Sequence, residues 1–322
     1  MTDFIKTYHS LKKPKSESEY SSSEPINDSI LRIGKNFEER PVLLINPGGK
    51  VSMVNYPLKY INIENNVTCK ISENDKKLEL DLTIIELKLG GDTLIEYFLE
   101  ISQTIFSKLS TEDSVKDFEN VFKEFIRIFQ KLNNPPLKTI QGLWSEMLFI
   151  LNSKDSGFFI EKWHSDINQV FDFVLKNDGV EVKSTRSDNR IHSFSLKQLN
   201  PSNNLNLIIV SIIVSKSVNY GKSIMDLYKE ISKVINTENK LKLMEVISET
   251  LGENFTEGVK VKFDYESALD SIKYYNYKDL PKIDSKNVPQ YVSGVRFNSD
   301  LNEVESIDIK SLSKKDNIFS KI

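Results

Sequence analysis

Asp172, Glu181 and Lys183, in the stretch FDFVLKNDGVEVKST, have the types and spacing to work on a phosphate ester. Cutting a phosphodiester with divalent metal needs hard oxygen ligands converging on one or two ions. It also needs a cation to orient the attacking water and offset developing charge. Two carboxylates and an ammonium supply those groups. An acid-x-base triplet alone is weak, because 46 acidic and 43 basic residues in 322 supply about six by chance. The intervening turn sets this triplet apart. Asn177, Asp178 and Gly179 suit a tight hairpin, and pairing Lys176 with Gly179 puts Asp172 opposite Lys183, with Glu181 on the same face. Phe171, Phe173, Leu175, Val180 and Val182 then form an apolar opposite face. A three-residue loop would send Asp172 to the wrong side. Without metal chemistry, the same residues make an exposed hairpin with a cross-strand ion pair, worth roughly a few tenths of a kcal/mol.

Other acid-x-base triplets lack that setting. Glu86-Leu87-Lys88 follows Asp81 with no turn between, Asp284-Ser285-Lys286 lies in a polar loop flanked by proline, and Asp308-Ile309-Lys310 has no comparable hairpin upstream. Glu146 is a fourth candidate. It sits in GLWSEMLFIL among Leu143, Trp144, Met147 and Leu148, where an unpaired buried carboxylate would cost several kcal/mol, so a charged or metal partner is expected. Gln198 in SLKQL has an amide that can orient water or phosphate. Between Lys183 and Lys197, the cations Lys183, Arg186, Arg190 and Lys197 are opposed only by Asp188, a cluster that reads either as a solvated loop or as a nucleic-acid patch. Arg186, Arg190, His192 and Lys197 are the expected contacts, although a lone strand histidine such as His192 is more often structural. Asn46-Pro-Gly-Gly-Lys50 reads as a turn, since Val51 and Leu44 replace residues that a Walker phosphate loop requires. Trp163 reads as core.

The elements that must position these groups follow from patterning. Strand-like runs, PVLLIN, YINIENNVTCKI and KKLELDLTIIELK, fill Pro41 to Lys88, with Leu78, Leu80, Leu82 and Ile84 alternating. Helices are expected from Asp92, from about Thr111 to Leu132, and over LKTIQGLWSEMLFILNS after Pro135-Pro136. Short strands GFFIEKW, VFDFVL, VEVKST and HSF follow, then a brief helix at SLKQL, a buried strand NLIIVSIIVS and a helix over 222–235. The helix LKLMEVISETL and a β-leaning tail with YYNYKDLPKI and GVRFNSDL complete the chain. The expected organisation is a flexible arm over 1–30, rich in Ser and Glu toward its end, a β-rich unit over 31–91, an α/β core over 92–236 and a C-terminal extension over 237–322.

With 39% hydrophobic and 28% charged residues, the chain is neither disordered nor membrane-spanning in composition. Its start has no apolar leader run, and the single Cys69 allows no internal disulfide, so a cytoplasmic protein is expected. The three histidines have no zinc spacing. A net charge of −3 means that any nucleic-acid contact depends on a local patch.

GLWSEMLFI, the spacing from Trp163 to the Asp-Phe pair, VEVKST, HSFSLKQL, YYNYKDLPKI and GVRFNSDL together resemble the PD-(D/E)XK nuclease superfamily, specifically a bacterial family of PD-(D/E)XK motif proteins. The resemblance implies a restriction-endonuclease-like core of helix, three strands, helix and strand, in an α/β chain that is α+β overall. It implies Mg²⁺-dependent phosphodiester cleavage, with Mn²⁺ able to substitute. By position, Asp172, Glu181 and Glu146 would hold metal, Lys183 would orient water and Gln198 would be the second-helix polar residue. Phe171 stands where the motif has proline. The implied function is a DNA endonuclease in restriction or phage defence, with an ATPase or methylase partner encoded alongside. Double-strand cutting would suit a homodimer. The alternatives are a non-catalytic DNA-binding or scaffolding subunit of such a complex, and a plain structural protein with Glu181 and Lys183 exposed.

Overall fold

The computed structural model describes residues 3–322 apart from 18, 25, 27–30, 54–57, 74–75, 111, 137, 165–168, 202–204 and 315–316, and of 70–73 and 76–78 only the backbone. The expectations that fall on Thr111 and Leu137, and on the Leu78 side chain, lie outside this set. The chain forms two compact units, residues 1–137 with 244–256, and residues 138–243 with 257–322. No helix among the described residues is long and apolar enough to cross a membrane.

The first unit is built on a five-stranded antiparallel sheet. Its strands are β1 (Ser21–Ser22), β2 (Leu31–Lys35), β3 (Pro41–Ile45), β4 (Ile61–Glu73) and β5 (Lys76–Leu87), in the order β1-β2-β3-β5-β4. Period-two alternation places Val42, Leu44, Leu82 and Ile84 in one apolar cluster. Helices α2 (Asp92–Phe106) and α3 (Val115–Lys131) carry phenylalanines at helical spacing, and Phe98 and Phe106 meet Phe125 at 5.9 and 5.0 Å between ring centroids. These helices therefore count with the N-terminal sheet rather than with the core. The expected arm also carries an ordered helix, α1 (Phe4–Ser10), capped by Asp3. Phe4 and Tyr8 are buried, which gives this short segment the apolar area that its Ser/Glu-rich continuation lacks.

In the second unit, α4 (Ile140–Leu151) is capped by Thr139, and α5 (Ser156–Lys162) is capped by Asp155. The strand expected at GFFIEKW is thus a helix. Asp155 accepts from Phe158 N at 3.0 Å, and one helical turn lets Ser156, Phe159 and Ile160 bury together. Next come β6 (Phe173–Leu175), β7 (Asp178–Thr185), β8 (Ile191–Ser195), α6 (Leu196–Leu199), β9 (Asn206–Ile213), β10 (Lys216–Ser217), β11 (Lys222–Ser223) and α7 (Ile224–Ile231). Helix α8 (Thr237–Leu251) divides at Leu243 between the units, and α9 (Phe255–Gly258) divides at Thr256. The chain ends with β12 (Lys262–Phe263), α10 (Tyr265–Asp270), β13 (Lys273–Asn276) and β14 (Arg296–Asp300).

The central sheet has the order β13-β9-β7-β6, with β7 and β9 parallel and the outer pairs antiparallel. Its β13 comes from the segment expected as an extension. Strand β8 pairs with β14 in a separate ribbon instead of joining this sheet, while β10, β12 and β11 form a small third sheet. Phe173 meets Phe149 of α4 and Phe159 of α5 at 5.4 and 5.3 Å, so the β6–β7 face bearing Val180 packs on those helices. The opposite face buries Ile209 with Phe194, Leu199, Tyr275 and Leu301. The fold is mixed α+β, and helix, strands, helix and strand follow in the expected chain order.

Candidate active site

The hairpin half of the site comes from β6 and β7. Phe173 pairs with Val180 and Leu175 with Asp178, closing a two-residue loop in which Lys176 has φ +54°. This register is two residues from the expected one, so continuing it sets Asp172 across from Glu181 rather than Lys183. The slip is even, and therefore keeps the same side chains on the same face. The loop keeps two residues but moves from Asn177-Asp178 to Lys176-Asn177, where Lys176 takes the positive φ and Asp178 pairs in parallel with Asn206. Asp172 N donates to Glu181 Oε2 at 3.2 Å, and Val182 N donates to Asp172 Oδ2 at 2.8 Å. Two residues beyond Glu181 on the same face, Lys183 Nζ lies 2.8 Å from Glu181 Oε1. Gln198 joins them through α6. Its Nε2 donates to Glu181 Oε1 at 2.5 Å, and its Oε1 accepts from Lys183 Nζ at 3.5 Å and from Ser195 N at 3.0 Å, a capping box that fixes the amide.

The second half centres on Glu146 of α4. Trp163 Nε1 donates to Glu146 Oε2 at 2.7 Å, so this buried tryptophan is core and partner at once. Two residues that sequence reasoning missed complete the half. Lys138, just before the α4 cap, lies 2.7 Å from Glu146 Oε1, 2.7 Å from His164 Nε2 and 3.1 Å from Asp172 Oδ1. His164 has φ +43°, and its N donates to Asp172 O at 3.1 Å. Neither residue belongs to a motif. The available signal was a lysine eight residues before Glu146, at the entrance to its helix, and a polar residue directly after a core tryptophan. Asp172 belongs to both halves.

Glu146, Asp172 and Glu181 are 4–5% exposed, and their protonation reflects that burial. Burial pushes Glu181 up to about 8, helped by the Asp172 charge and opposed by Lys183. Asp172 is also raised, by burial and then by Glu146, against Lys138 and His164. At Glu146 burial acts upward, but the hydrogen bond from His164 and the Lys138 charge hold the carboxyl at about 2. Burial works against the Lys138 ammonium, yet Asp172 and Glu146 more than offset it, and its pKa is raised.

The expected nucleic-acid contact divides. Arg186 and Lys197 are exposed. Arg190 is buried instead, and its guanidinium donates to Ser211 O and Oγ at 2.9 Å each and to Ser271 O. His192 is buried against Ser211 Oγ at 2.7 Å, and burial, with Lys183 and Arg190 nearby, lowers it to about 4. Both are therefore withdrawn from phosphate contact. Alternation along β8 turns His192 inward beside Phe194, and the start of that strand draws Arg190 over the end of β9.

From residue 4 to residue 302, the chain matches the family model described as "Putative PD-(D/E)XK family member, (DUF4420)". The chain belongs to that family. No curated protein and no solved structure matched. A divalent cation, which such proteins commonly use, fits the donors present. Ligand atoms of Glu146, His164 and Asp172 lie within 4.8 Å of one another, a span that one cation with bonds of ~2.0–2.6 Å can bridge. Glu181 stands outside that group of three, its two oxygens held by Lys183, Gln198 and Asp172 N.

Proposed function

We propose that this protein is a Mg²⁺-dependent DNA endonuclease acting in bacterial restriction or phage defence. The observation that carries this reading is the burial of three carboxylates, Glu146, Asp172 and Glu181, with the ammonium groups of Lys138 and Lys183 in one connected cluster. Stability alone gives no reason for it, since well-packed apolar residues commonly replace buried ion pairs at no loss or with a gain. Hydrolysis at a phosphate does give a reason.

Asp172, Glu146 and His164 would hold the metal, with Glu181 alongside. When bound, the ion would polarise the phosphate and lower the pKa of water. Oxygen donors suit Mg²⁺, and the imidazole nitrogen accommodates Mn²⁺. Lys183 is fixed by Glu181 and Gln198, so its ammonium orients the attacking water and offsets charge on the phosphate without reorganising. Arg186 and Lys197 reach the DNA backbone. Cutting both strands calls for a second copy of the chain, and an ATPase or methylase encoded alongside would supply translocation or self-protection.

The rival reading, a non-catalytic DNA-binding or scaffolding subunit, draws on Lys138, whose ammonium already compensates the acids. Incubation of supercoiled plasmid with the purified protein in Mg²⁺, Mn²⁺ or EDTA separates the two. The nuclease reading expects metal-dependent nicking or linearisation that Glu181→Ala and Lys183→Ala abolish. DNA binding in every buffer with no cleavage, alone or with operon partners added back, would favour the subunit.

A further inference from the structure

The donors suited to a divalent ion already surround a positive charge. Lys138 Nζ is 2.7 Å from Glu146 Oε1, 2.7 Å from His164 Nε2 and 3.1 Å from Asp172 Oδ1. Those are the same three residues whose ligand atoms cluster within 4.8 Å. A metal bridging them needs the volume that the ammonium fills, because two cations cannot share the centre of three donors.

We propose that Lys138 is a tethered placeholder for the metal, filling the Glu146, His164 and Asp172 site in the metal-free protein and withdrawing when a divalent cation enters. This rests on the metal-dependent reading above. Position supports it. Lys138 lies outside α4, one residue before the Thr139 cap, so its departure breaks no helical hydrogen bond. Its side chain is 33% exposed, while those of Glu146 and Asp172 are 5% and 6% exposed. The long stem therefore has a solvent side to swing into. Lys183 is built the other way. It projects from the middle of β7, is 17% exposed, and is held by Glu181 and Gln198, so it stays while Lys138 leaves. Without Lys138, the metal-free fold would hold Glu146 and Asp172 with less compensation, a costly state for buried charge. The placeholder thus stabilises the empty site and weakens metal affinity by competition.

The test needs no DNA and no turnover. Lys138→Met keeps the length of the side chain and removes its charge. Mn²⁺ binding is measured by calorimetry, and thermal unfolding is followed in EDTA and in saturating Mn²⁺, for wild type and variant. The expected result is Mn²⁺ binding at least tenfold tighter in the variant, a lower melting temperature in EDTA, and recovery to the wild-type value or above with Mn²⁺. Lys138→Gln, which retains a neutral donor to the carboxylates, serves if the methionine form does not fold, and the same tightening is expected. Unchanged or weaker Mn²⁺ binding in the variants, with wild-type binding intact, overturns the placeholder and leaves the metal site standing. Mn²⁺ binding by neither protein overturns both.

Discussion

Two strands of this protein carry the same short pattern, Glu86-Leu87-Lys88 at the end of β5 and Glu181-Val182-Lys183 within β7. In the first unit, Glu86 and Lys88 are half-buried, Asn36 Nδ2 donates to Glu86, and the nearby Asp81 is exposed and accepts from Thr68 Oγ1 at 2.7 Å. In the second unit, Glu181 is buried, a second acid faces it across a two-residue turn, and a helix brings up a third. An acid-x-base triplet costs little at a half-buried strand end. It becomes a chemical site only where the fold excludes water and gathers a second carboxylate and a cation around it.

The comparison breaks most sharply on cleavage. Glu181→Ala should lower the rate of plasmid nicking by about 10³-fold or more, in keeping with loss of a group that acts in the transition state, while Glu86→Ala stays within about twofold. Equal losses would erase the distinction between the strands. Next in size is a pair of arginines. Arg190→Ala strips hydrogen bonds from buried Ser211 and half-buried Ser271, and should cost about 3 kcal/mol in chemical denaturation. Arg127→Ala removes a largely exposed partner of Glu245 in the first unit, and should cost under about 1 kcal/mol.

A pH effect follows from His192. Its folded pKa of about 4 lies below the ordinary value of about 6.5, so the unfolded chain binds the proton more readily. Its stabilisation is complete above pH ~6.5 and is lost as pH falls toward 4, by up to about 3 kcal/mol. Denaturation midpoints across that window should fall less steeply for His192→Asn than for wild type, and parallel slopes would contradict the buried neutral ring. The smallest effects belong to the exposed cations. Arg186→Ala and Lys197→Ala should each weaken DNA binding and reduce the salt slope by about one, with cleavage of bound DNA unchanged.

The hairpin half was legible because turn chemistry and alternation are local. Asn177, Asp178 and Gly179 announced a reversal, and alternation put Glu181 and Lys183 on one face whichever even register formed. The exact pairing was not legible, since a positive φ at a lysine is seldom written in its type. Gln198 was singled out for its amide alone; the Ser195-x-x-Gln198 capping box that fixes that amide is a sequence signature that went unread. Lys138 and His164 escaped because each reaches the site through tertiary packing, 34 and 8 residues from Asp172 along the chain, with no periodic pattern behind it. Arg190 misled for a related reason, whereas the buried His192 matches its structural alternative. A charged run reads as a surface patch, and only pairing of β8 with β14, some 105 residues downstream of Ile191, turns alternate side chains inward. At GFFIEKW the aromatic and β-branched content suggested a strand, while the Asp155 cap and tertiary burial selected a helix.

Asp172 is the residue on which both halves depend, accepting from Val182 N on one side and Lys138 on the other. The most direct measurement is therefore single-turnover nicking of supercoiled plasmid in Mg²⁺ by wild type and Asp172→Asn, each first shown to be folded by circular dichroism. Nicking by the wild type that disappears both in EDTA and in the variant is the expected result. Nicking by Asp172→Asn at the wild-type rate would contradict the assignment of this buried cluster as the catalytic centre.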